Sequence, residues 1–118
     1  MNYALPVKNT FYFLQPKAVE EWQSFDVPGV VGILRKTQGG EYEVIDAFAV
    51  NALPSSTELM SDVRFGYWYA LAGSLDHLRI DAFSMPISNV SQRENVVTLL
   101  SRTCGFASSN DQNYAYAV

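Results

Sequence analysis

Two β-prone runs, 30–37 and 41–50, flank Gln38, Gly39 and Gly40. A short glycine-containing connection between such runs predicts an antiparallel hairpin. In the second run a strict period of two puts Tyr42, Val44, Asp46, Phe48 and Val50 on one face, with Glu41, Glu43, Ile45, Ala47 and Ala49 on the other. The stretch 64–85 is long enough for a helix, but Gly66 and Gly73 interrupt it. FGYWYA is β-prone, and HLRIDAFSM alternates at period two. A second hairpin is therefore expected, with strands at about 64–72 and 77–85 turning through Gly73, Ser74, Leu75 and Asp76.

The remaining segments read as one more strand, two helices and a helical turn. Residues 9–15 are dense in aromatics and predict a strand. Pro16 suits the first turn of a helix, along which Val19, Trp22 and Phe25 face inward and Glu20 and Glu21 outward, until Pro28 and Gly29 end it. After Pro54, Thr57 is expected to cap a short helical turn reaching Val63. The strongest helix is 89–103: Ser91 and Glu94 match a capping box, Val96, Val97, Leu99, Leu100 and Cys104 form an apolar stripe, and Gly105 suits the residue after the end. The tail 107–118 is polar, then weakly strand-like, and is expected to pair at a sheet edge or stay flexible.

These elements give the order β-α-β-β-(α)-β-β-α-(β). Hairpin-linked strands imply an α+β fold, a mainly antiparallel sheet of five to six strands with two helices and one short helical turn packed on one face. No repeat or linker divides the 118 residues, so one domain over 1–118 is expected.

Charge and composition narrow the classes of partner. Charged residues make up 17% of the chain, below the roughly 25% of an average protein, while it holds seven Phe, seven Tyr and two Trp. The net charge is −4, and no cluster of Lys and Arg is present that could neutralise a row of phosphates. Nucleic acid and membrane surfaces are therefore not expected partners. The first ten residues lack the pattern of a signal peptide, and the chain has one cysteine, so a cytoplasmic location and no intrachain disulfide are expected.

The chemistry on offer is thin. His77 is the sole histidine, which leaves no His pair for a metal, and no metal or cofactor is expected. Cys104, at a helix C-terminus on an apolar stripe, reads as an inert buried thiol. Asp46 on an apolar sheet face is the best acid–base candidate, followed by His77 and Asp81. Across the second hairpin, Tyr67, Tyr69 and Leu71 would share a core face with Leu78 and Ile80. The other face would gather Trp68 and Phe83 among His77, Arg79 and Asp81, a mixture typical of interfaces.

Two helices and a turn can cover one sheet face, so Trp68, Arg79 and Phe83 are expected to meet a second copy or a protein partner. The function expected first is a non-enzymatic interaction or assembly module, homo-oligomeric through that aromatic face. A small-molecule binder with a pocket gated by Tyr42, Tyr67 or Tyr69 comes second, and a metal-free acid–base enzyme third.

Overall fold

A computed structural model of the chain describes residues 15–106. Apart from Gln15, the strand expected at 9–15 lies outside the described residues, as does the tail 107–118. The described chain forms one sheet from β1 (Lys17–Ala18), β2 (Gly29–Lys36), β3 (Tyr42–Val50) and β4 (Leu78–Ser84). The order across the sheet is β1-β4-β2-β3, and every neighbouring pair is antiparallel. Three α-helices accompany it: α1 (Ser56–Met60), α2 (Phe65–Ala72) and α3 (Val90–Cys104). The α+β class and the antiparallel sheet are as expected, but the described sheet has four strands rather than five or six.

The central strand explains the layering. All residues from Gly29 to Leu34 are buried, and a strand apolar on both sides needs cover on both faces. Val31 and Ile33 join Phe48, Leu59, Trp68, Leu78 and Ile80 in a core beneath α1 and α2. Val30 and Leu34 join Val44, Ala47, Val97 and Leu100 in a second core beneath α3. Helices thus lie on both faces of the sheet, not on one.

The β2–β3 hairpin forms as expected, closed by Gly40 N–H to Thr37 O (3.0 Å) and Thr37 N–H to Glu41 O (2.8 Å). Gly40 has a φ of 83°, the left-handed conformation such a loop needs. The strict alternation expected of β3 does not hold. Ile33 pairs with Asp46 and Leu34 with Val44, so Ile45 is an extra residue, a β-bulge. Tyr42 and Val44 keep to the α3 side, while Ile45, Phe48 and Val50 join the α2 side. The single face expected to run from Tyr42 to Val50 is divided between two cores.

The largest correction is at 64–72, which is a helix rather than the first strand of a second hairpin. Phe65, Trp68 and Ala72 fall at helical spacing and pack together against the α2-side core. Burying an indole of roughly 200 Å² is worth several kcal/mol, against about 1 kcal/mol for a glycine inside a helix, so packing overrides the weak propensity of FGYWYA. The helix stops at Gly73, whose φ is 90°. The second half of the expected hairpin, β4, is present, and its alternation is as expected: Leu78, Ile80 and Ala82 face the α2-side core.

Two smaller corrections concern helix ends. Residues 16–25 form no α-helix; Lys17 and Ala18 pair with Ile80 and Arg79, and a single 3-10 turn covers Val19–Glu21. So short a segment is marginal as a helix, and the edge of β4 offers its backbone partners. Val19 and Trp22 are buried as expected, but Phe25 is 57% exposed. The capping box of α1 uses Ser55 and Glu58, not Thr57, and that of α3 uses Asn89 and Gln92, two residues before the expected pair. Both boxes satisfy two backbone donors reciprocally. Gly105, with φ 76°, ends α3 where the sequence puts it.

Candidate functional site

The bulge in β3 turns Asp46 toward α2, where Trp68 Nε1 donates to Asp46 Oδ2 (2.8 Å) and the Ala47 N–H to Oδ1 (2.8 Å). Both Asp46 and Trp68 are 0% exposed. Trp68 stacks on Phe48 with centroids 5.6 Å apart and planes 1° from parallel. The Arg64 guanidinium carbon lies 3.9 Å from the Phe48 centroid and 5.3 Å from that of Trp68. Arg64 in turn holds Asp62 through Nε to Oδ1 (2.9 Å) and Nη2 to Oδ2 (2.8 Å). This chain of contacts ties β3 to α2. Asp46 is sealed from solvent, and both of its oxygens accept hydrogen bonds from the chain itself.

The other acid–base candidates do not assemble around it. Asp81 accepts the N–H groups of Gln15 and Ala82 on its two oxygens, each at 2.8 Å. By alternation with Ile80 it faces the α3 side, across the sheet from Asp46. His77 is exposed at the end of the sheet, with Nδ1 3.2 Å from Ser74 Oγ. The tyrosines proposed to gate a pocket also diverge. Tyr42 packs on the α3-side core, Tyr67 on the α2-side core, and Tyr69 is 45% exposed on the outside of α2.

The trio expected at an interface separates in the same way. Trp68 is internal. Phe83 is half-buried against the α3-side core, and Arg79, opposite Leu34, shares the α3 side of the sheet. Arg79 and Phe83 therefore share a face as the alternation of β4 implies, but Trp68 lies on the other side, because residue 68 belongs to a helix.

Three surface features remain. The first is the outside of α2, where Gly66, Tyr69, Ala70, Leu71 and Gly73 are all exposed. A helix this apolar on both sides is ordinarily covered on both. Exposed Met60 and Val63 precede it, Leu75 follows it, and no charged residue occurs in 65–75. The second is a hollow of 510 Å³ at the sheet end, lined by Lys36, Thr37, Gln38, Gly39, Gly40, Asp76, His77 and Arg79. The third is a smaller groove of 230 Å³ at the rim of β3, where Tyr67 and Leu71 of α2 approach Cys104 and Phe106. Arg35, also on its lining, donates to Glu43 Oε1 (2.6 Å) and to the Leu71 carbonyl (3.1 Å).

Arg93, not among the residues singled out by pattern or motif, is 5% exposed. It donates to Asn51 Oδ1 (2.8 Å) and to the carbonyl and hydroxyl oxygens of Ser88 (2.9 Å each), pinning the start of α3 to the end of β3. Its spacing to Val97, Leu100 and Cys104 puts it on the buried stripe, a signal that was available in the sequence. Among the described residues, no group of three His, Cys, Asp or Glu side chains could hold a metal, and no helix is long and apolar enough to cross a membrane. Comparison of the chain with protein-family models, with curated proteins and with solved structures found no significant match.

Proposed function

We propose that this chain is a non-enzymatic assembly module that associates with a second copy of itself through the outside of α2. The observation that carries the reading is the uncharged, apolar exterior of that helix: Tyr69 at 45% and Leu71 at 36% exposure beside the small residues Gly66 and Ala70. Exposed apolar surface of this kind usually marks a contact.

A second copy fits better than an unrelated partner because of the charge pattern. In a twofold contact each surface meets itself, so any charged face confronts its own charge. The stretch 65–75 has no charge to repel. Gly66 and Ala70 leave room along the helix into which the Tyr69 ring of the other copy can settle, and aromatic anchors of this type carry much of the energy of an interface.

The test is sedimentation across a wide concentration range. The wild-type chain is expected to dimerise, and Tyr69→Glu to remain monomeric with unchanged circular dichroism. A wild-type chain that stays monomeric at the highest concentration, or a Tyr69→Glu variant that dimerises as well as wild type, would overturn the proposal.

A further inference from the structure

We infer that the hollow at the end of the sheet is a binding site for a phosphate group. Its lining comes from two neighbouring strand ends. Arg35 and Leu78 are the last residues paired between β2 and β4, and one step further come Lys36 and His77. Arg79 stands on the same face, opposite Leu34. The Thr37–Gly40 hairpin loop supplies more of the lining.

Lys36 and Arg79 bring two positive charges to this lining against one carboxylate, that of Asp76. With a net charge of −4, carboxylates outnumber cations, and Arg35 and Arg64 each hold one. Lys36 and Arg79 form no ion pair among the described residues, although Asp76 lines the same hollow. The Asp76 backbone, not its carboxylate, is what Arg79 uses: Nη1 donates to the carbonyl oxygens of Asp76 and Leu78. Those bonds fix the guanidinium and leave its remaining N–H groups for a ligand. A guanidinium held this way meets an oxyanion with little ordering cost.

A second observation concerns Thr37, one of the lining residues. Thr37 Oγ1 is buried and has no hydrogen-bond partner among the described residues. An orphaned buried hydroxyl is costly unless an occupant supplies the missing partner. Here it lies beside two glycines, and a side chain added at Gly40 would meet nothing within 4 Å. An oxyanion drawn in by Lys36 and Arg79 would supply acceptors to a rotated Thr37 hydroxyl and to the His77 ring nitrogen not directed at Ser74. At 510 Å³ the hollow has room for a phosphate carried on a small organic molecule as well as for the inorganic ion.

The experiment is a titration of the folded chain with inorganic phosphate, followed through backbone amide shifts at constant ionic strength. The amides of 37–40 and 77–79 are expected to move together and saturate, while chloride leaves them in place. Arg79→Gln is expected to weaken binding by about ten-fold or more, the loss of a charge-assisted hydrogen bond. Asp76→Asn, which removes the one negative charge of the lining, should strengthen it. A parallel titration with glycerol phosphate identifies the source. Tighter binding than the inorganic ion marks an organic phosphate, equal binding marks the ion itself, and either supports the site. Shifts that chloride reproduces, shifts that survive Arg79→Gln and Lys36→Gln, or no saturable shift would overturn it. None of these outcomes depends on whether the chain dimerises through α2.

Discussion

Arg64 is held by a carboxylate on one side and two aromatic rings on the other, and this sets the acid response of Asp62. Burial pushes the Asp62 carboxyl upward, but the side-chain and backbone hydrogen bonds from Arg64 and its positive charge together outweigh that, so the group titrates below its ordinary 3.8. A carboxylate with a lowered value in the folded state contributes stability that is complete above 3.8 and is lost as pH falls through the lowered value. Asp62→Asn is accordingly expected to be less stable than wild type at neutral pH, with the difference shrinking in acid below the ordinary carboxylate range. Urea unfolding over a pH series measures this, and a difference that stays constant into acid would contradict it. Asp46 serves the fold in another way. Its two oxygens take the Trp68 indole and the Ala47 amide, so the polar atoms of the bulge and of the largest core side chain satisfy each other.

Among the elements, β2 and α2 tolerate side chains very differently. At Gly29 an added Cβ would sit 2.5 Å from the Phe83 carbonyl oxygen and 3.1 Å from Ser84 Cα, both backbone atoms of β4. Gly29→Ala must force the two strands apart and is expected to cost about 1–3 kcal/mol. At Gly66 an added Cβ meets nothing within 4 Å on the outside of α2. Gly66→Ala should therefore stabilise the chain by about 0.5–1 kcal/mol, the ordinary difference between the two residues in a helix. Denaturant unfolding of the two variants decides both signs. The result at Gly66 also bears on the element itself, because that gain belongs to a helix.

For the molecule as a whole, protection should grade outward from β2. That strand is paired along both edges and buried on both faces, so it opens only when both cores come apart. Amide hydrogen exchange should find Val30, Val31, Ile33 and Leu34 among the slowest positions. Lys17 and Ala18, a two-residue pairing at the rim of the sheet, should exchange far sooner. Equal protection of Lys17 and Ile33 would contradict this gradient. The two-sided core also removes the reason for expecting a bare aromatic sheet face. A segment read as a strand is instead a helix, which subtracts one strand from the sheet and adds one element to cover it.

What the sequence determined by itself is whatever local pattern and local chemistry settle. The β2–β3 hairpin follows from two β-prone runs and a glycine loop, the alternation of β4 from Leu78, Ile80 and Ala82, and the end of α3 from Gly105. Tertiary structure decided the rest. Phe65–Ala72 is a helix because Trp68 gains more from the core than its neighbours lose in propensity. The bulge at Ile45 exists only against the register of β2, and it moves Asp46 to the face where Trp68 can donate to it. The sheet-end hollow brings Lys36 to Arg79 across 43 residues of sequence through the pairing of β2 with β4. A period-two or period-3.6 pattern records only a segment's own geometry, and each of these features depends on a partner far along the chain.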